Sequence, residues 1–240
     1  MNPRKVRHSQ YRAPETGSIS NLSFSLLACA ESELRDALAD RGPGKARTAD
    51  NHWSPHSVGS ILLLIAGLEA WLNESTLLLE HRCAGLREQA ALPIREKYCG
   101  IPGAVTGSSI TVSVELDLLL RVRNEVAHFL PITVRGSVPW WLSDLQARGL
   151  FITAPETDAD YDFAVKLASY ALAYWAWDTA SQAVVDFITA LGQEGESLRH
   201  TSVNFEGYRS ACRPDRLAGY DATETTFRRR LRRWFGRFAA

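Results

Sequence analysis

Apolar residues recur at helical spacing along most of the chain. Between Ile19 and Ala39, Leu22, Leu26, Leu27, Leu34 and Leu38 fall on one broad side, with Glu31, Glu33, Arg35 and Asp36 among the others. That periodicity predicts an amphipathic helix, ended by the turn residues Asp40 to Gly44. A second helix is predicted from about Val58 to Ala90, capped by Ser57, nearly apolar through Leu72 and charged from Glu80 onward. This helix is expected at the centre of the molecule. Leu92 to Tyr98 predicts a short helix opened by Pro93, and the Gly/Ser/Thr-rich stretch 100–109 after it predicts loop. A third long helix runs from about Thr111 to Leu130 and is stopped by Pro131, with a short helix to follow around Trp140 to Ala147.

The fourth long helix is predicted from about Asp158 to Leu191. Acidic residues suit its positive end, and Phe163, Leu167, Tyr170, Tyr174, Trp177, Val184 and Ile188 share helical spacing. Those aromatics are expected in the core and in a dimer contact. Residues 192 to 222 predict loop, and Thr225 to Phe238 a short basic helix with Phe227, Leu231, Trp234, Phe235 and Phe238 on one side. With no repeats and no strand signal, the expected class is all-α: an antiparallel four-helix bundle with additional short helices and a C-terminal basic helix. The expected division is a disordered basic segment over 1–17, a helical bundle over 18–192 and an irregular extension over 193–240.

Composition supports a full core and reveals a charge split. The chain has 240 residues, 45% of them hydrophobic. Its 27 basic and 27 acidic residues cancel, yet Arg4, Lys5, Arg7 and Arg12 have no acidic neighbour before residue 13, and six arginines follow residue 227 without one. Removing these ten leaves 17 basic against 27 acidic residues, a body of about −10 with basic ends. The ends, rather than the body, are therefore expected to meet polyanions. Cys29, Cys83, Cys99 and Cys212 form no metal-binding or disulfide spacing, which suggests a reducing compartment. Residues 1–20 carry no apolar leader, and the longest apolar run, Val58 to Leu72, contains Glu69 and is short for a bilayer. A cytoplasmic protein with no stable membrane insertion is the expectation.

One helix end carries chemistry. Leu118 to Pro131 is apolar except for Arg121, Arg123, Asn124, Glu125 and His128. Polar groups at the end of a helix that buries its apolar side need water, a partner or a ligand. On an ideal helix Arg121, Asn124 and His128 share one stripe, while Arg123 sits about 140° from His128. A second copy of the helix, related by a two-fold axis, would bring two arginines and two histidines into one groove. Such a set suits cleavage of an RNA backbone. Histidine as a residue type titrates near neutrality and can move a proton, while arginine grips a phosphate and offsets developing charge. Asn124 would orient the phosphate or the imidazole, and no metal or other cofactor is expected.

Arg123-Asn124-Glu125-Val126-Ala127-His128 resembles the R-x4-6-H motif, with a polar residue after the arginine, of the HEPN superfamily of all-α domains. Leu68 to Glu74 on the second helix, Leu92 to Tyr98 after it and the long closing helix follow the order of bacterial HEPN proteins, so the resemblance covers about residues 20 to 190. It implies a homodimeric, metal-independent endoribonuclease of toxin–antitoxin or phage-defence systems, giving 2′,3′-cyclic phosphate ends. It also implies a protein antitoxin or defence partner. By motif position Arg123 and His128 would be catalytic and Asn124 auxiliary, with Arg121 a rival for the arginine's place. The branch inhibited by a nucleotidyltransferase has a tyrosine two residues past the histidine; this chain has Phe129-Leu130 there, so control through that tyrosine is not expected.

Other residues admit two readings each. Glu69 and Asn73, one turn apart, would either support the motif helix or form a buried polar pair that fixes helix register. Lys97 would either line an RNA groove or sit solvated. His52 and His56 have metal-like spacing that Pro55 spoils. The tail residues Arg228, Arg229, Arg230, Arg232, Arg233 and Trp234 would bind single-stranded RNA, lie on an anionic surface, or dock on the body. The alternative to an enzyme is a non-catalytic dimeric scaffold or nucleotide-binding module on the same helices.

Overall fold

A computed structural model describes residues 22–40, 52–128, 139–151 and 166–198. The basic ends, residues 129–131 after the motif and the expected start of the fourth helix at Asp158 lie outside these residues. Within them the fold is all-α, as expected, with no strand and a single isolated bridge between Trp53 and Ser169.

Helix α1 spans Leu22–Ala39 and α2 spans Pro55–Leu79. They run antiparallel, because polar contacts tie opposite ends together. Ser23 N–H donates to Glu74 Oε1 at 3.0 Å at one end, while Glu33 Oε2 meets His56 Nδ1 at 2.9 Å at the other. The cap of α2 is Ser54 rather than Ser57. Its extended backbone lets its Oγ accept from His56 N–H at 3.2 Å, and Pro55 fills the first helical position, where no amide bond is missed. The helix also stops earlier than expected, at Leu79, and a turn through Gly85, at φ 89°, leads to the short α3, Leu86–Gln89. At 25 residues α2 is longer than the apolar run alone suggested, and by length and composition it could cross a membrane; 61% of that apolar window is buried inside the molecule.

Helix α4, Ile94–Thr106, corrects the loop expected over 100–109. Gly100, Pro102 and Gly103 are poor helix formers, but Tyr98, Ile101 and Pro102 are buried, and Tyr98 packs on Phe187 with ring centroids 5.8 Å apart. Tertiary burial outweighs the propensity of a few residues. The helix ends at Gly107, at φ 75°.

Helix α5, Val114–Ala127, carries the motif; Ser113 caps it by accepting from Leu116 N–H at 3.1 Å. Helix α6 is Trp140–Ala147, at the expected place. Helix α7, Tyr170–Leu191, begins at the cap Ser169 and passes into a 3-10 turn over Gly192–Gly195, part of the stretch expected as loop. Ser54 N–H donates to Ala168 O at 2.8 Å and Tyr170 N–H to His52 O at 3.1 Å, so the starts of α2 and α7 are stapled side by side.

Helices α2 and α7 form the centre, each in contact with α1, α4 and α5. Trp71, Trp177, Phe187, Leu64, Leu68 and Leu172 are all but fully buried there. Trp177 Nε1 donates to Ser60 Oγ at 3.0 Å, and Ser60 Oγ donates to Ala30 O at 2.9 Å, a buried relay through α7, α2 and α1. Val122 and Leu119 bury the inner face of α5 in the same core, which turns the arginines outward.

Candidate functional site

The outer side of α5 opens on a groove of about 460 Å³, walled by α2, α4 and α5. Its lining is Glu69 from α2, Pro93, Ile94 and Arg95 from the start of α4, and Asp117, Leu120, Arg121, Arg123 and Asn124 from α5. Three guanidiniums against two carboxylates give these walls a formal charge of +1, in a body that is otherwise acidic. Guanidinium donors in that arrangement can hold an anionic group.

The residues predicted on α5 each have a definite place. Arg123 is half-buried, and its Nη1 donates to Asn124 Oδ1 at 3.0 Å, leaving most of its donors uncommitted to that bond. Asn124 is exposed. Arg121 is held by Asp117 one turn earlier, with Nε donating to Oδ2 at 2.9 Å. His128 is the C-cap residue of α5; its N–H donates to Asn124 O at 2.9 Å, and its backbone leaves helical geometry at φ −133°, ψ 42°. The side chain is exposed and does not line the groove of one chain. The ideal-helix stripe of Arg121, Asn124 and His128 therefore ends before the histidine: the two α5 residues share the groove, and His128 turns off with the chain at the cap.

Glu69 and Asn73 hydrogen-bond a residue of α4. Both hold Lys97, which is fully buried: its Nζ donates to Asn73 Oδ1 at 2.7 Å, to Glu69 Oε1 at 3.4 Å and to Ala90 O at 3.4 Å. Lys97 is thus neither solvated nor a groove residue, because its stem crosses the core edge and its ammonium finds three acceptors. The pair fixes α4 against α2, close to the register reading, and also sets a partly exposed Glu69 carboxylate in the groove wall.

Two groove residues were not anticipated. Asp117 accepts from Arg121 and also from Arg95, whose Nη1 lies 2.7 Å from Oδ1. The Asp117–Arg121 pair is an i, i+4 spacing that sequence alone displays, whereas Arg95 arrives only through the packing of α4 on α5.

His52 and His56 have separate partners. His52 Nε2 lies 2.6 Å from Ala37 O, and the ring stacks on Tyr170 with centroids 5.2 Å apart. His56 is held above its ordinary pKa by its hydrogen bond with Glu33, opposed by partial desolvation and assisted by the charges of Glu33, Asp40 and Asp36. Among the described residues no group of three or more His, Cys, Asp or Glu side chains is placed to hold a metal ion. The basic tail, Arg228 to Trp234, lies outside the described residues. Comparison with protein-family models, with curated proteins and with solved structures finds no match.

Proposed function

We propose that this chain is a homodimeric endoribonuclease of the HEPN type that cuts single-stranded RNA between two copies of α5. The observation that carries the reading is the convergence of Arg121, Arg123 and Asn124 on a cationic groove, with an exposed His128 one turn beyond Asn124 at the helix end. In the proposed reaction the RNA 2′-hydroxyl attacks phosphorus and the bond to the 5′-oxygen breaks. His128 of one protomer takes the 2′-hydroxyl proton and then gives it to the departing oxygen, while the other protomer supplies Arg123. Arg123 holds the non-bridging oxygens and offsets the charge gained in the phosphorane; Asn124 fixes the guanidinium through their hydrogen bond. The products are a 2′,3′-cyclic phosphate and a 5′-hydroxyl, and imidazole and guanidinium supply the proton transfer and charge that the step requires. A toxin or phage-defence setting, with a protein partner that restrains the enzyme, follows from the family resemblance, and a cytoplasmic location from the cysteine pattern.

A second reading has its own support. His128 does not line the groove of a single chain, which suits a module that binds a nucleotide or RNA strand without turning it over. Cleavage of single-stranded RNA in EDTA separates the two. Wild type is expected to cut, and Arg123→Ala and His128→Ala to lose at least about a hundredfold in rate; equal cutting by all three proteins removes the assignment, and binding without cutting leaves the module.

A further inference from the structure

We propose that Arg95 and Arg121, spread on the single carboxylate of Asp117, form a phosphodiester clamp beside the motif, so that the RNA strand crosses from α5 onto α4. The inference rests on the RNA-binding reading of the groove and adds a subsite that the motif does not contain.

Asp117 takes Nη1 of Arg95 on one oxygen and Nε of Arg121 on the other, at 2.7 and 2.9 Å. One carboxylate cannot balance two guanidiniums, so the trio retains a charge of +1. It also holds two long side chains in fixed positions before a ligand arrives, which lowers the entropy lost on binding. Each guanidinium keeps donors that Asp117 does not use. Both side chains are open to solvent, at 61% and 44% exposure, and both line the groove that receives Arg123 and Asn124.

The opposite wall narrows the ligand's path. Glu69 accepts from the buried Lys97 at 3.4 Å, and its carboxylate offers a phosphate no donor on that wall. A phosphate finds its donors on α4 and α5, where the arginines stand. Arg123 with Asn124 and Arg95 with Arg121 then serve successive phosphates of one strand. Arginine suits this use better than lysine, since its planar fork meets two phosphate oxygens at once.

Binding of a short fluorescent 2′-O-methyl RNA, which lacks the attacking hydroxyl, tests the clamp separately from catalysis. Arg95→Ala is expected to raise Kd about tenfold and to flatten the dependence of log K on log salt by roughly 0.7 for each phosphate left without its arginine. Arg95→Lys, which keeps the charge but not the fork, should fall between. Because Arg95 is exposed, both variants should melt as wild type does. An unchanged Kd and salt slope in Arg95→Ala would make the trio an ion pair of the fold and overturn the clamp. So would wild type that cuts ordinary RNA but fails to bind the 2′-O-methyl strand, while the cleavage reading would stand. Conversely, Arg95-dependent binding by a protein that leaves ordinary RNA intact keeps the clamp and sinks cleavage. Inorganic phosphate that displaces the strand as well as unlabelled RNA does, at equal phosphorus, would assign the groove to a free anion and overturn the strand path.

Discussion

Single side chains in this molecule divide into those that hold helices together and those that face the groove, and the two sets respond differently to mutation. Lys97 belongs to the first. Replacing it with methionine keeps the volume but leaves Asn73 Oδ1 and Glu69 without their buried donor. A loss of about 1–3 kcal/mol in stability is expected, read as a lower urea midpoint at unchanged m; a midpoint equal to wild type would show that the ammonium does not hold α4 to α2. Arg123 and Asn124 belong to the second set, and their alanine variants should keep the wild-type midpoint while losing cleavage. The residue pattern Arg123-Asn124 with His128 is visible in the sequence because it is local. Lys97's burial and Arg95's arrival at the groove are not, because each depends on how α4 packs against a helix 20 or more positions away in the chain.

At the level of helices, polar bonds fix how otherwise interchangeable apolar faces meet. The relay from Trp177 through Ser60 to Ala30 sets α7, α2 and α1 in one register. Ser60→Ala strands a buried indole N–H and should cost about 1–3 kcal/mol. A variant as stable as wild type would mean that apolar packing alone sets the register. Gly67 lies where α1 passes close to α2: an added Cβ would stand 2.9 Å from Leu27 Cδ2 and 3.4 Å from its backbone nitrogen, so Gly67→Ala is expected to lose about 1–3 kcal/mol. The other end of this pair is sensitive to pH. His56 has a folded-state pKa raised above its usual value, chiefly by the hydrogen bond with Glu33, so its contribution is complete below about pH 6.5 and fades as pH rises through the folded value. The stability gap between wild type and His56→Gln should therefore shrink from acid toward alkaline pH; a constant gap would contradict the ion pair. Periodicity located α1, α2, α5, α6 and the body of α7, since each has a wide apolar face. It misplaced α4 and the cap of α2, where burial of Tyr98 and Ile101 overrides glycine and Pro55 moves the start of the helix.

Taken as a whole, the described residues form an all-α body whose core is built on α2 and α7 and whose cationic groove lies on the outer side of α5. The groove is legible in part from sequence, as arginines that the apolar face of α5 must leave outside. His128 does not line this groove and is exposed at the cap, which makes a two-fold partner central to the proposed chemistry. A composite site predicts complementation between inactive chains. Arg123→Ala and His128→Ala chains, carrying different tags, would be co-expressed and the mixed dimer isolated, then incubated with single-stranded RNA in EDTA and the product ends read by mass spectrometry. The expected result is no cutting by either homodimer and partial recovery by the mixed dimer, with 2′,3′-cyclic phosphate ends. A mixed dimer as inactive as its parents, beside an active wild type, would contradict the shared site.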